Sequence, residues 1–206
     1  ELLSIIHGIK HAHPMDVLRT TVSAMSSLDP DVLNMSRNAV LEKGVRLIAS
    51  VPSIVAAHYR IRNGDTPIAS NPTLSHAANF LSMLFGTDPH AEDSRLIDKD
   101  LILHAEHGVN ASTFAARVAA STSADYYATI TAAISVLKGT KHGGAAEGVI
   151  TMTQAIGSEE NASEYVEKVI ANGGRIMGFG HPVYKAVDPR SLHLKAEAEK
   201  LAHRKN

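Results

Sequence analysis

Prolines and glycines divide this 206-residue sequence into segments of helical period, and that punctuation constrains the fold more than any other feature of it. Pro14 and the pairs Asp29-Pro30, Asn71-Pro72, Asp88-Pro89 and Asp188-Pro189 each stand just ahead of an apolar run. Proline suits the first turn of a helix because its missing amide has no intrahelical acceptor there and its φ is already helical. Gly86, Gly108, Gly139 and Gly173-Gly174 stand at the far ends, where a glycine closes a helix. In between, apolar residues recur three and four apart, as in Met15, Leu18, Val22 and Met25, or Ile130, Ala133, Ile134 and Leu137. Phe80, Leu81, Leu84 and Phe85 are expected to be buried in the same way. No alternating stretch is long enough to read as a strand of ordinary length. The expected fold is all-α, about ten helices joined by short loops.

Several boundaries follow from the same signals. Helices are expected to start at Pro14, Pro30, Pro72, Pro89 and Ser191, the last with Pro189 in its first turn. Pro52 is expected to kink or break the pattern that runs from Val32 to Arg62. The helix after Pro89 is expected to continue through Leu103 to His107, which would place His104 and His107 on one face. Asn110 can cap the helix from Ala111, Asp125 starts the next, and Ser158 or Asn161 caps the helix from Tyr165 to Ile170.

Composition narrows the partners. Apolar residues make up 44% of the chain and aromatics only 4%, a mixture suited to closely packed helices. Twenty basic residues against 21 acidic ones leave no basic surplus for a nucleic acid. No apolar run reaches the roughly 20 residues of a membrane span. The sequence has no cysteine, which excludes disulfides and thiolate metal sites and accords with a reducing cytoplasm. His7, His11 and His13 cluster near the start, but no carboxylate lies at a ligand spacing, and no metal site is expected. Glu1 already lies inside an apolar pattern and Asn206 inside a polar helix, so the expectation is a piece of a longer protein.

The chemistry gathers late in the chain. Gly178 and Gly180 flank Phe179, His181 follows at once, Pro182 stiffens the chain behind it, and Lys185 and Arg190 complete the stretch. Glycines there allow a left-handed backbone and close approach to a ligand. One proton donor and two cations suit an anionic ligand with a carbonyl. His142 precedes Gly143-Gly144, so its imidazole projects from a tight turn. His104 and His107 have the plainer reading of a hydrogen-bonded histidine pair.

These stretches together resemble the citrate synthase family. The resemblance rests on Gly178 to Arg190, on His142-Gly143-Gly144, on His104-Ala105-Glu106-His107 with Asn110 to Thr113, and on His13 to Thr20. It spans nearly the whole chain. It implies a two-domain helical fold, with residues 1–142 part of a large domain and 143–206 the start of a small, CoA-binding domain. It further implies an acyltransferase of the tricarboxylic acid cycle that condenses acetyl-CoA with oxaloacetate, works as a homodimer and holds no permanent cofactor, CoA thioester being substrate.

The resemblance also implies roles. His142 would hold the thioester oxygen during enolisation, and His181 would donate to the oxaloacetate carbonyl. His107 and Arg190 would hold oxaloacetate, with His104 behind them. Arg175, Ile176, Met177, Gly178, Phe179 and Gly180 would cradle the adenine of CoA, with Lys185 near its phosphates. The family's general base is an aspartate downstream of the signature loop, so it is expected outside this chain. Thr140-Lys141 stands where the family more often has Pro-Leu, and Ala146 where it often has Asn, which leaves acyl preference open. Use of propionyl-CoA, as in 2-methylcitrate synthases, is the alternative within the chemistry, and a non-catalytic helical interaction module the alternative outside it.

Overall fold

In a computed structural model, residues 1–181 and 184–205 are described, and among them there are ten α-helices and no strand. They are α1 (Leu2–Gly8), α2 (Pro14–Ala24), α3 (Arg37–Arg62), α4 (His76–Phe85), α5 (Ala91–His104), α6 (Ala111–Ser121), α7 (Tyr126–Leu137), α8 (Gly143–Ile156), α9 (Ala162–Ala171) and α10 (Pro189–Lys205). Two compact units divide them, Glu1–Val136 and Leu137–Asn206.

Pro14 and Pro189 sit in the first turn of their helices, as expected. At three other prolines the helix begins later than the sequence suggests. α3 starts at Arg37 under Ser36, whose hydroxyl accepts the Ala39 amide. α4 starts at His76 under Ser75, and α5 at Ala91 under His90, whose Nδ1 accepts the Glu92 amide at 3.3 Å. In two of these cases the Asx-Pro pair folds a local turn instead. Asp29 Oδ1 accepts the Asp31 amide at 2.9 Å, and Asn71 Oδ1 accepts the Thr73 amide at 3.0 Å. Such side-chain bonds compete with the helix for the same amides.

Pro52 does not break its helix, because α3 runs through it without interruption. The carbonyl left without a donor is that of Ile48, a residue 67% exposed. α5 ends at His104 rather than His107. The Glu106 carboxylate accepts the Gly108 amide, a local turn that takes His107 out of the helix. Phe85 is exposed rather than buried and meets Tyr59 edge-to-face at 6.4 Å. α9 has no side-chain cap: a short 3-10 turn leads into it, and Asn161 Nδ2 donates backwards to the Ile156 carbonyl at 3.1 Å. Asn110 and Asp125 stand ahead of their helices as expected, and their side chains accept the amides of Thr113 and Ala128, each at 3.0 Å.

The first unit is built around α3, which packs against α1, α2 and α4. Ile6, Val17, Val22, Met25, Leu47, Ile54, Ala57, Ile61, Tyr127 and Ile134 form its core. Lys43 lies on the same inner face, 2% exposed. Its ammonium donates to the carbonyls of Asp31 (2.5 Å), Val32 (3.2 Å) and Asn34 (2.8 Å) and so fastens the 29–34 turn to the helix. Asp29 Oδ2 accepts the Tyr127 hydroxyl at 2.9 Å, tying that turn to α7. In the second unit no described residue is fully buried, and α8, α9 and α10 flank the glycine-rich loop between Ala171 and Pro189.

Candidate functional site

His142 precedes α8 with φ −130° and ψ −116°, and its imidazole makes no cap bond to the helix. The turn that holds it is tight. The His142 amide donates to the Gly139 carbonyl at 2.8 Å, and Gly144 donates to the same oxygen at 3.2 Å. A Cβ at position 143 would lie 2.6 Å from the Leu137 carbonyl oxygen, and one at 144 would lie 3.1 Å from that of Gly139. The two glycines are therefore what lets the chain reverse directly after the histidine.

The loop 175–180 rests on α8. A Cβ on Gly148 would come within 2.8 Å of the Met177 methyl group. Gly178 and Gly180 have φ of +84° and +83°, the left-handed backbone expected on either side of Phe179. At Gly178 a Cβ would also meet Val149 at 3.0 Å. Phe179, 79% exposed, stands out between them, and its amide donates to Ile176 at 3.4 Å. Beside this loop lies a cavity of about 430 Å³, lined by Glu147, Thr151, Met152, Tyr165, Arg175 and Met177.

His181 Nδ1 accepts the Tyr184 amide at 3.2 Å, and the two rings lie 4.8 Å apart at 42°. An amide can only donate, so the neutral imidazole carries its proton on Nε2. Pro182 lies outside the described residues. Lys185 is exposed on a bend. Arg190 is paired with Asp188, Nη2 to Oδ2 at 2.7 Å and Nε to Oδ1 at 3.1 Å. The hydrogen bonds that Arg190 donates to Asp188 hold the guanidinium pKa above its ordinary value, against the opposite pull of burial.

His104 and His107 belong to the first unit. His104 Nδ1 lies 2.8 Å from the Asp100 carbonyl and 3.3 Å from its carboxylate, two acceptors that place a proton on that nitrogen. His107 is half-buried in the connection from α5 to α6. Among the described residues no three His, Cys, Asp or Glu side chains are placed to hold a metal ion, and no helix is long and apolar enough to cross a membrane. Sequence reasoning missed Tyr184 and Asp188 as partners of His181 and Arg190. The only signal for either is its spacing, three residues after one and two before the other.

The sequence matches the family model described as citrate synthase, C-terminal domain, over residues 1–206. Citrate synthase 2 of Bacillus subtilis (strain 168) is 45% identical over 197 residues, which cover 96% of this chain and 53% of that protein. 2-Methylcitrate synthase 1 of Corynebacterium glutamicum is 44% identical over 209 residues, 98% of this chain and 55% of that protein. The solved citrate synthase of Thermoplasma acidophilum, a ternary complex with carboxymethyl coenzyme A and oxaloacetate, superposes with a TM-score of 0.92. It is 32% identical and matches 99% of this chain and 54% of its own. The chain thus spans about half the length of the curated relatives it matches.

Proposed function

The chain belongs to the citrate synthase family, and on that premise we propose that the full-length protein condenses acetyl-CoA with oxaloacetate, giving citrate and CoA through an enol intermediate. The observation that carries this reading is the His181 ring, whose Nδ1 is taken by a main-chain amide. With Nδ1 accepting, the proton of the neutral ring sits on Nε2, which makes that nitrogen the donor. A fixed donor stabilises the charge that develops on the oxaloacetate carbonyl oxygen as the enol carbon attacks it, and supplies the proton. His142 does the same for the thioester oxygen while the methyl proton leaves. Its place at the N-terminus of α8 adds the favourable end of the helix dipole to that developing charge.

The other roles follow the family. Arg190 and His107 hold oxaloacetate and His104 supports them. The main chain from Arg175 to Gly180 cradles the adenine of CoA, and Lys185 meets its phosphates. The general base is an aspartate outside this chain, and the citryl thioester is then hydrolysed. Residues 1–142 are part of the large domain and 143–206 the start of the small one. The protein works in the cytoplasm as a homodimer. Leu41, Val45, Ile48, Val55 and Tyr59, all on the outer side of α3 and all exposed, support an apolar interface.

The likeness to 2-methylcitrate synthases favours a second reading, with propionyl-CoA as the acyl donor. One methylene is discriminated by only about 1–3 kcal/mol, so both donors belong in the assay. Oxaloacetate-dependent thiol release by the full-length protein from acetyl-CoA and from propionyl-CoA is the test. Faster release from acetyl-CoA is expected, faster release from propionyl-CoA selects the second reading, and none from either overturns both.

A further inference from the structure

Arg190 meets Asp188 along one edge of its guanidinium. Nε lies 3.1 Å from Oδ1 and 3.2 Å from Oδ2, and Nη2 lies 2.7 Å from Oδ2. The two side chains are only 23% and 28% exposed. Asp188 is itself anchored. Its Oδ1 accepts the Arg190 amide at 2.9 Å, and its carbonyl accepts the Ser191 amide and hydroxyl at 2.9 and 2.7 Å. A guanidinium has a second edge, formed by Nη1 and the other hydrogen of Nη2. Nη1 makes no hydrogen bond among the described residues.

We propose that Asp188 is a positioning residue for substrate capture, holding Arg190 side-on so that its end-on edge is presented to a carboxylate of the 2-oxo dicarboxylate substrate. This rests on the reading of Arg190 as an oxaloacetate ligand. An unheld arginine gives up its side-chain freedom when it meets substrate, whereas one already fixed in the free protein gives up little more, and affinity gains the difference. The two carboxylates use separate edges, so the internal one orients the cation without displacing the external one. A carboxylate competing for the same edge would have the opposite effect and weaken binding.

The test compares kcat and the KM for oxaloacetate in the full-length protein carrying Arg190→Leu, Asp188→Asn, Asp188→Ser, or Asp188→Asn with Arg190→Leu. Asn and Ser each keep an oxygen able to accept the Arg190 amide, so the start of α10 is preserved while the guanidinium loses its partner. Asp188→Asn and Asp188→Ser should each raise KM about tenfold, the usual scale for a lost bond to a charged group. kcat and the thermal midpoint should change little. In the Arg190→Leu background the Asp188 substitution should add nothing, because the residue acts through Arg190. An unchanged or lowered KM in both Asp188 variants overturns the inference, as does an undiminished effect in the Arg190→Leu background. If Arg190→Leu alone leaves KM unchanged, the reading of Arg190 as a substrate ligand fails, and the role of Asp188 falls with it.

Discussion

The two units hold their shapes by different means. In the first, Val17 and Val22 are wholly enclosed, Tyr127 is enclosed with them, and even Lys43 lies inside with three carbonyls around its ammonium. In the second, nothing among the described residues is fully buried. Its turns depend on glycines where main chain approaches main chain, at Gly143 against Leu137 and at Gly174 against Val169. Its chemical side chains are held by neighbours in sequence, His181 by Tyr184 and Arg190 by Asp188. The same truncation therefore has different consequences in each. In the first unit it removes volume from a close-packed interior, and in the second it removes orientation from a side chain to which the proposed function gives a role.

That contrast can be broken by experiment. Leu47→Ala in the first unit should cost about 2–5 kcal/mol in urea unfolding, the range for a buried leucine that leaves a cavity. Leu194→Ala, half-buried in α10, should cost about 1 kcal/mol or less. Equal losses would erase the distinction. His142→Gln and His181→Gln should raise the reaction barrier by about 2.7–4 kcal/mol, roughly 10²–10³ in turnover, while leaving the unfolding curve where it was. The two should also differ from each other. His142→Gln should slow deuterium exchange at the methyl group of acetyl-CoA, and His181→Gln should slow carbon–carbon bond formation instead. Near-normal thiol release in both variants would end the assignment of these histidines.

What the sequence reveals divides along the same line. The helical class and most glycine stops are legible, because apolar period and left-handed glycines are local properties; Gly86 closes α4 with φ +77°. Three helix starts fall later than expected, with caps at Ser36, Ser75 and His90; at two of them, Asp29-Pro30 and Asn71-Pro72, the Asx side chain folds a turn first. Pro52 marks no boundary because α3 continues through it, and apolar period alone does not tell a tolerated proline from a helix stop. The loop 178–190 was legible as a chemical stretch from its residue types. Its internal geometry was not: that Asp188 takes one edge of Arg190 depends on rotamers, and the same two residues could equally have faced apart.

The buried pair Asp29–Tyr127 sharpens the comparison through pH. The Asp29 carboxyl is held below the usual carboxylate range, first by the Asp31 amide, then by the Tyr127 hydroxyl and the nearby Lys43 and Arg46 charges, with burial opposing them. The unfolded chain binds that proton more readily than the folded one. The contribution of Asp29 is therefore complete above its unfolded value, near pH 3.9, and is lost as pH falls toward the folded value. Tyr127 lies the other way: burial and then its bond to Asp29 push its hydroxyl up, so its contribution is lost above about pH 10. Asp29→Asn should flatten the acid limb of stability, and Tyr127→Phe the alkaline limb. Neither should alter the KM for acetyl-CoA at neutral pH. Acid limbs of equal slope in wild type and Asp29→Asn would remove this pair from the account of the first unit.

The smallest expected effect lies at the surface of the second unit. Lys185 is exposed on the bend between His181 and Asp188, close in sequence to the loop that would cradle CoA. An exposed ammonium attracts a phosphate through solvent, so its contribution is small, about 0.2–1 kcal/mol, and it decays with added salt. Lys185→Ala should weaken CoA binding modestly at low ionic strength and leave it almost unchanged at high. The direction of the salt effect separates charge from shape, because a lost packing contact would persist at both. Calorimetry with CoA and with dephospho-CoA localises the contact further: if Lys185 meets the 3′-phosphate, the substitution should matter for the first ligand and not for the second. Equal loss with both ligands would move the contact to the pyrophosphate, and equal affinity of wild type and variant at low salt would take Lys185 out of the site.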